Sequence, residues 1–228
     1  MHPSAMNNCK SFFDAYSDAF TKDKTTKVVE IGSQDVNGSL RSVAPNEFEY
    51  VGVDFQSAKG VDIVLDDPYL LPFDTGSIDI VLSSSCFEHS EMFWVVFLEV
   101  MRILKPTGIF YFHAPSSGGF HRYPVDCWRF YPDSGRAMIA WSRRNGGNAA
   151  LLESYIQKGG EWQDFVGVFL KDESFSTKFN KRILDTKKDF ENGLIFGNTD
   201  TLNETGSCQN DKKLRAISQI VSEQLLIN

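Results

Sequence analysis

Short apolar runs separated by small and polar residues dominate the first half of the chain. The clearest runs are 28–31, 50–53 and 78–82. Runs of this length are typical of strands that are buried on both faces of a parallel sheet. The segments 61–65 and 109–113 fit the same pattern. The pattern therefore predicts five parallel strands in this half.

Helical spacing appears at the start of the chain and again between the predicted strands. Residues 1–23 contain apolar side chains spaced i, i+3, i+4 and i+7, which is typical of an amphipathic helix. Two interpretations stay open for this helix, packing against the sheet or forming a lid over a ligand. Residues 91–104 are apolar nearly all round, which predicts a buried helix. We expect a Glu99–Arg102 ion pair on its more exposed face. Shorter helices are predicted near 39–44 and from 133 or 134 to 141.

The second half predicts fewer regular elements. Residues 149–156 and 164–170 read as two strands of an antiparallel hairpin, separated by KGGEWQ. From 171 to 213 the pattern weakens, and we interpret this segment as an irregular appendage with one helix near 179–190. Helical spacing returns at 214–226.

Strands that alternate with helices indicate an α/β fold. We expect a doubly wound, Rossmann-like, mostly parallel seven-stranded sheet with an antiparallel last strand and helices on both faces. At 228 residues the chain suits a single domain. Within 1–228 we expect 24–113 to form a ligand-binding half and 114–145 to form a substrate loop and helix.

Composition argues against a nucleic-acid partner and against a membrane span. Hydrophobic residues make up 42% of the chain and the formal net charge is −7. Because nucleic-acid sites are normally basic patches, this charge argues against a nucleic-acid partner. The longest apolar run, 92–98, is too short to span a bilayer.

The four cysteines stand far apart, at positions 9, 86, 127 and 208. Their spacing suggests neither a metal site nor a redox pair, so we expect no metal. Reduced thiols are typical of the cytosol, and the N-terminus lacks the long apolar core of a signal peptide. We therefore expect a cytoplasmic protein.

The segment 27–56 combines two predicted strands with the residues of a ligand site. The first strand leads into Gly32 and a loop of small and polar residues that ends at Gly38, and the second strand ends in Asp54. Ligands of parallel sheets bind beyond the carboxyl ends of the strands, where glycine lets the main chain come close. A carboxylate after the second strand suits the two hydroxyls of a ribose.

The charges in this segment favour a cationic ligand. Dinucleotide sites use G-x-G-x-x-G, whereas this loop has only Gly32 and Gly38. Asp35 would repel a pyrophosphate, and Glu30 at the end of the first strand suits a positive charge. An oxidoreductase of the NAD type is therefore disfavoured. A ligand with a ribose, an ammonium and a sulfonium fits better.

Four blocks of sequence together resemble class I S-adenosylmethionine-dependent methyltransferases. They are E-I-G at 30–32, V-G-V-D at 51–54, LPFDTGSIDIVLSSSCFEH at 71–89 and LEVMRILKPTGIFYFHAP at 98–115. The resemblance covers about residues 27–115. The chain departs from it at Gln34 and Val36, where the family usually has glycines.

The resemblance implies S-adenosylmethionine as the cofactor and assigns residues to its parts. Glu30, Gly32 and Gly38 would shape the methionine end, and Asp54 would hold the ribose. Asp67 stands six residues before the Phe of L-P-F, the position that contacts the adenine amino group in the family. The remaining residues assigned to the cofactor are Ser33, Phe55, Pro68 and Ser83.

The loop 114–131 carries the candidates for acceptor chemistry. Its segment HRYPVDCWRFYP resembles one in methyltransferases encoded among surface-polysaccharide and nucleotide-sugar genes. Aromatic faces and polar groups suit a sugar. Two interpretations stay open, a substrate site or a loop that anchors itself through an Asp126–Arg129 pair and a buried Trp128. The candidate substrate residues are Tyr123, Asp126, Trp128 and Arg129.

Methyl transfer to a hydroxyl benefits from a base that takes the proton. Three histidines lie at or after the fourth and fifth predicted strands, namely His89, His113 and His121. We therefore predict a methyltransferase that acts on a small polar acceptor, with a sugar hydroxyl as the favoured group. The alternative is a non-catalytic protein of the same fold that binds the cofactor or serves as a scaffold in a biosynthetic complex.

Overall fold

The computed structural model describes residues 3–20 and 25–206. Eight strands form one sheet in the order β3-β2-β1-β4-β5-β7-β6-β8. The strands are β1 (Lys27–Ile31), β2 (Glu49–Asp54), β3 (Ile63–Val64), β4 (Ile78–Ser84), β5 (Leu104–Ala114), β6 (Ala150–Gln157), β7 (Phe165–Leu170) and β8 (Phe190–Ile195). The first five strands pair in parallel, and β7, β6 and β8 each pair antiparallel to their neighbour. The Rossmann-like α/β fold is confirmed.

In the described part of the chain three α-helices cover the sheet: α1 (Pro3–Tyr16), α2 (Phe93–Ile103) and α3 (Ser134–Arg144). The buried side chains of α2 and α3 belong to one hydrophobic cluster, and those of α1 belong to a second cluster. The strands between the clusters are buried on both faces, which explains their apolar sequences. Among the described residues, each helix is too short or too polar to cross a bilayer.

The N-terminal helix packs against the sheet. Phe12, Phe13 and Tyr16 are buried, and the ring of Phe12 lies 5.0 Å from that of Tyr111 on β5. The Tyr16 hydroxyl donates to the Glu153 carboxylate on β6 over 2.6 Å. The apolar spacing of α1 therefore serves packing, which was the first of the two interpretations.

Helix α2 carries the predicted ion pair. The Arg102 Nε lies 2.8 Å from Glu99 Oε1, and the Arg102 guanidinium also donates to the carbonyl of Leu71 over 2.9 Å. The pair thus ties α2 to the segment before β4. Strand β5 begins directly after α2 and includes residues 106–108.

The strand count of seven was wrong, because the segment after β7 adds an eighth strand. In place of the helix expected near 179–190 the chain has the 3-10 turn Ile183–Asp185 and the start of β8, and another 3-10 turn, Glu173–Lys178, precedes them. Strand β8 pairs with the free edge of β6, which buries Phe190 and Leu194. The short helix near 39–44 is a 3-10 turn, Leu40–Val43. The helix predicted at 214–226 lies outside the described residues.

Candidate active site

A cavity of about 480 Å³ lies at the carboxyl ends of the parallel strands. Its strand side is formed by residues that end or follow β1, β2 and β4, chiefly Gly32, Gln34, Asp54, Phe55, Ser85 and Cys86. Its loop side is formed by residues 121–125. His89 lies between the two sides, in the 3-10 turn after β4. The position of the cavity agrees with the rule that ligands bind beyond the carboxyl ends of the strands.

Gly32 brings the chain after β1 against the chain after β4. Its φ is +79°, and a Cβ at this position would lie 2.6 Å from the Cβ of Cys86. Its N–H donates to the Val53 carbonyl on β2 over 3.0 Å. Only glycine meets both requirements, positive φ and close approach, so the main chain itself forms this part of the strand side.

Asp54 ends β2 and is nearly buried, with 6% of its surface exposed. Its Oδ1 accepts from Gln34 Nε2 over 2.9 Å and from the N–H of Gln56 over 3.1 Å. The Gln34 Oε1 in turn accepts from the Tyr123 hydroxyl over 2.9 Å. Gln34 therefore links the carboxylate on the strand side to the loop side.

Glu30 lies behind the strand side and does not line the cavity. Its carboxylate is 1% exposed and accepts from the Tyr50 hydroxyl over 2.7 Å. Burial raises the pKa of Glu30 to about 7, and the hydrogen bond from Tyr50 opposes that rise. The buried carboxyl group therefore takes up a proton at a higher pH than an exposed glutamate does.

The other residues assigned to the cofactor are divided between the cavity and its surroundings. Phe55 and Pro68 line the cavity, whereas Asp67 is exposed and its Oδ1 accepts from the N–H of Tyr69 over 2.8 Å. Ser33 and Ser83 are buried outside the lining.

The loop after β1 is shaped by Asp35. Gly38 also has positive φ, +119°, and donates to Asp35 Oδ1 over 2.9 Å. Lys59 pairs with Asp35 over 2.6 Å, and the hydrogen bonds from Lys59 and Gly38 lower the Asp35 pKa. Asp35 therefore organises the loop between Gly32 and Gly38.

Two imidazoles meet beside the cavity. The rings of His89 and His121 lie edge to face with their centroids 4.9 Å apart. The His89 Nδ1 lies 2.5 Å from the carbonyl of Val125, and since a carbonyl only accepts, Nδ1 carries the hydrogen. The Nε2 of His89 is then the free acceptor of that ring. Burial lowers the pKa of His89.

Glu88 lies under the two imidazoles. Its side chain is 1% exposed, and burial raises its pKa to about 8. The main-chain carbonyl of Glu88 accepts from the N–H groups of Cys127 over 2.8 Å and Trp128 over 3.2 Å. The turn after β4 thus holds the loop 114–131 through its backbone.

His113, the third predicted base, does not line the cavity. It is 2% exposed, and its Nδ1 lies 3.0 Å from Ser84 Oγ. Its Nε2 lies 3.2 Å from the Asp164 carboxylate, which also accepts from Ser4 of α1 over 2.7 Å. These contacts tie β4, β5 and α1 together.

Three of the predicted substrate residues form hydrogen bonds within the protein. They are Asp126, Trp128 and Arg129. The Arg129 guanidinium donates to both oxygens of Asp126, over 2.6 and 2.9 Å. Arg129 lowers the pKa of Asp126 through these hydrogen bonds. The Trp128 Nε1 donates to the Ser90 carbonyl over 2.8 Å. Of the four predicted substrate residues, only Tyr123 lines the cavity. The Asp126–Arg129 pair matches the interpretation of a loop that anchors itself, whereas Trp128 is partly buried rather than buried.

Sequence comparison identifies the segment that builds the strand side. Residues 28–112 match the family model of a methyltransferase domain. This segment, which runs from β1 into β5, is a methyltransferase domain. The chain is thus an enzyme whose cofactor is S-adenosylmethionine. No curated protein matches the chain.

Solved structures similar to the methyltransferase share its fold at low identity. A SAM-dependent methyltransferase from Archaeoglobus fulgidus is 15% identical, with a TM-score of 0.54, covering 73% of this chain and 94% of that one. The 1,6-didemethyltoxoflavin-N1-methyltransferase of Burkholderia thailandensis, solved with S-adenosylhomocysteine, is 13% identical, with a TM-score of 0.53 and coverage of 75% and 79%. The [4+2]-cyclase SpnF is 12% identical, with a TM-score of 0.50 and coverage of 72% and 81%. Because a cyclase shares the fold, fold alone does not define the reaction.

Several cavity residues of the methyltransferase were not predicted. They are Gln34, Tyr69, Ser84, Ser85, Cys86 and Arg122, among others. Gln34 could have been found, because it replaces one of the usual glycines of the loop. Cys86 contributes through its packing against Gly32, and no sequence pattern marks such a contact.

Proposed function

We propose that the enzyme transfers the methyl group of S-adenosylmethionine to a hydroxyl of a small polar acceptor, most simply a sugar. One observation carries the proposal. The Asp54 carboxylate on the strand side and the imidazoles of His89 and His121 border a single cavity. A nucleoside held at Asp54 and an acceptor held near the imidazoles would share that space.

Cofactor binding on the strand side is supported by Gly32, Asp54 and Phe55. The ribose hydroxyls would donate to the Asp54 carboxylate, in competition with the hydrogen bond from Gln34. Within this proposal Asp67 would contact the adenine amino group, and Glu30, which is buried behind the strand side, would shape the methionine end from outside the cavity. Asp67 would have to release the N–H of Tyr69 to reach the adenine amino group.

The reaction breaks the sulfur–methyl bond and forms an oxygen–methyl bond, with S-adenosylhomocysteine as the second product. The attacking oxygen must lie in line with the methyl group at about 3 Å, and its proton must leave. His89 and His121 are the candidate proton acceptors because both line the cavity. The free Nε2 of His89 is the better defined of the two positions.

A sugar is favoured by the chemistry of the loop side. Tyr123 offers an aromatic face, and Arg122 and His121 offer polar groups in the same cavity. Aromatic faces stack on sugar C–H groups while polar groups bond to the hydroxyls. Asp126, Trp128 and Arg129 support this proposal indirectly, by holding the loop in place.

The test measures cofactor affinity and methyl transfer separately. We expect Asp54→Ala to weaken S-adenosylmethionine binding by about 1.5–3 kcal/mol in calorimetry, because it removes a charged hydrogen-bond acceptor. Asp66→Ala is the matched control, since Asp66 follows β3, is exposed and lies outside the cavity lining. Equal binding by both variants would contradict the assignment of Asp54.

Labelled cofactor and a panel of acceptors test the reaction. We expect transfer to sugar or nucleotide-sugar hydroxyls, and lower turnover in His121→Ala with unchanged cofactor affinity. Transfer to amines or carbon acids alone would contradict O-methylation. Cofactor binding without transfer to any acceptor would favour the alternative of a non-catalytic scaffold.

A further inference from the structure

Glu88, His89 and His121 bring three metal-ligating groups together at the edge of the cavity. One ligand atom from each residue, a carboxylate oxygen or an imidazole nitrogen, lies within 4.8 Å of the other two. Ligand atoms around a transition-metal ion lie about 3 Å apart, given bond lengths of about 2.0–2.2 Å. A small inward shift of the three side chains would therefore complete a site.

The contacts of both imidazoles leave a nitrogen available for a metal. His89 donates its Nδ1 hydrogen to the Val125 carbonyl. The His121 Nδ1 lies 3.3 Å from the Gly119 carbonyl and 3.5 Å from both the Asp126 carboxylate and the Arg129 guanidinium. The shortest of these contacts assigns its hydrogen to the Gly119 carbonyl. Metal-binding histidines usually donate their other ring hydrogen to a carbonyl or carboxylate in this way. The Nε2 atoms are then the ligands.

Glu88 provides the third ligand and an observation independent of the histidines. Its Oε2 is buried and has no hydrogen-bond partner among the residues that the structure describes. Its Oε1 lies 3.8 Å from His89 Nε2, too far for a hydrogen bond. Buried carboxylate oxygens are normally satisfied, and a cation would satisfy this one.

We propose that Glu88, His89 and His121 bind one divalent transition-metal ion at the acceptor end of the cavity. Two imidazoles and one carboxylate are the ligand set of open zinc sites and of non-haem iron(II) sites. The open coordination positions would face the cavity, because His89 and His121 both line it. The inference revises the expectation, drawn from cysteine spacing, that the chain has no metal site.

The role of the ion, unlike its binding, rests on the proposed function. An acceptor hydroxyl bound to the ion would lose its proton to water more readily, because a divalent cation lowers the pKa of a bound hydroxyl. The resulting alkoxide would attack the methyl carbon as the sulfur–methyl bond breaks. The two imidazoles would then act as ligands, and the proton would go to solvent.

The experiment titrates metal-free enzyme with Co²⁺, followed by visible absorption, and with Zn²⁺, followed by calorimetry. We expect one saturable site per chain. His121→Ala and Glu88→Gln should each weaken binding by more than about 10-fold, the loss typical when support around a metal site is removed. Cys127→Ser is the control for adventitious thiol binding, since Cys127 is exposed, and it should bind as the wild type does.

His121→Ala keeps the test informative if Glu88→Gln fails to fold, because the His121 side chain is 38% exposed. Absence of a saturable site, or equal binding by His121→Ala and wild type, would overturn the proposal. The titration needs neither cofactor nor acceptor, so its result is separate from that of the methyl-transfer assay. Loss of transfer after chelation, restored by Zn²⁺ or Fe²⁺, would support the role; transfer unaffected by chelation would contradict it.

Discussion

The two sides of the cavity differ in whether main-chain atoms or side chains make their critical contacts. On the strand side the critical contact is made by main chain, where Gly32 meets Cys86 with no room for a side chain. On the loop side the contacts are made by side chains, with Asp126 and Arg129 holding the segment that presents His121 and Tyr123. A surface formed by closely packed main chain leaves no room for a larger side chain, whereas a surface formed by side chains can be altered by substitution.

This difference suggests a division of roles. The strand side would serve a cofactor that is common to many enzymes, and its shape follows from the sheet. The loop side would serve the acceptor, and loops on a rigid scaffold commonly carry such specificity. Gln34 is the described side chain that bonds to both Asp54 and Tyr123, so the two sides are coupled through one residue.

The largest expected effect is a loss of stability caused by a substitution on the strand side. Gly32→Ala should destabilise the protein by about 4 kcal/mol, because the new Cβ adds a steric clash to a left-handed conformation. Gly76→Ala is the matched control, with φ of +69° and no atom within 4 Å of the new Cβ, and should cost about 1 kcal/mol. Urea unfolding measures both values. A similar loss of stability in the two variants would show that Cys86 moves aside at little cost.

A second prediction concerns the carboxyl group behind the strand side. The pKa of Glu30 is about 7 in the fold against an ordinary value of 4.5. Between these values the folded state holds a proton that the unfolded state has released, so stability falls as pH rises. The loss of folding stability that Glu30 contributes is roughly 3 kcal/mol, at about 1.4 kcal/mol per pKa unit.

Glu30→Gln should remove the contribution of Glu30 to this pH dependence, while the contribution of Glu88, whose pKa is raised to about 8, remains. Urea unfolding at about pH 5 and about pH 7.5 would measure it, and the variant should change least between the two. Glu49→Gln is the control, because Glu49 starts the same sheet's β2 and is exposed, and it should retain the wild-type slope. A wild-type protein whose stability rises over this range would contradict the prediction.

The smallest expected effect is a change in the acceptor KM, which tests the coupling between the two sides. Tyr123→Phe removes one hydrogen bond, to Gln34, from a side chain that is 51% exposed. We expect the acceptor KM to rise about two- to five-fold, the lower part of the range for a neutral hydrogen bond because the group is half exposed, with cofactor Kd nearly unchanged. Tyr131→Phe, also exposed but outside the cavity lining, should change neither constant. A large loss of cofactor affinity in Tyr123→Phe would mean that the loop side holds the cofactor.

The sequence alone predicted most of the parallel half of the fold and the strand side of the cavity. Buried parallel strands leave a continuous apolar pattern, and their carboxyl ends are marked by Gly32 and Asp54. Strand β8 was missed because it contains Asn192-Gly193, a pair typical of turns. It forms only through pairing with the edge of β6, a partner that a local pattern does not reveal.

The loop side was decided by the tertiary structure. The residues in question were all visible in the sequence, yet the sequence left open whether Asp126 and Arg129 face a substrate or each other. Folding pairs them and brings His121 beside Glu88 and His89, which follow a different strand. Local hydrophobic periodicity determines which segments are buried, whereas contacts between polar side chains far apart in the chain depend on how those segments pack together.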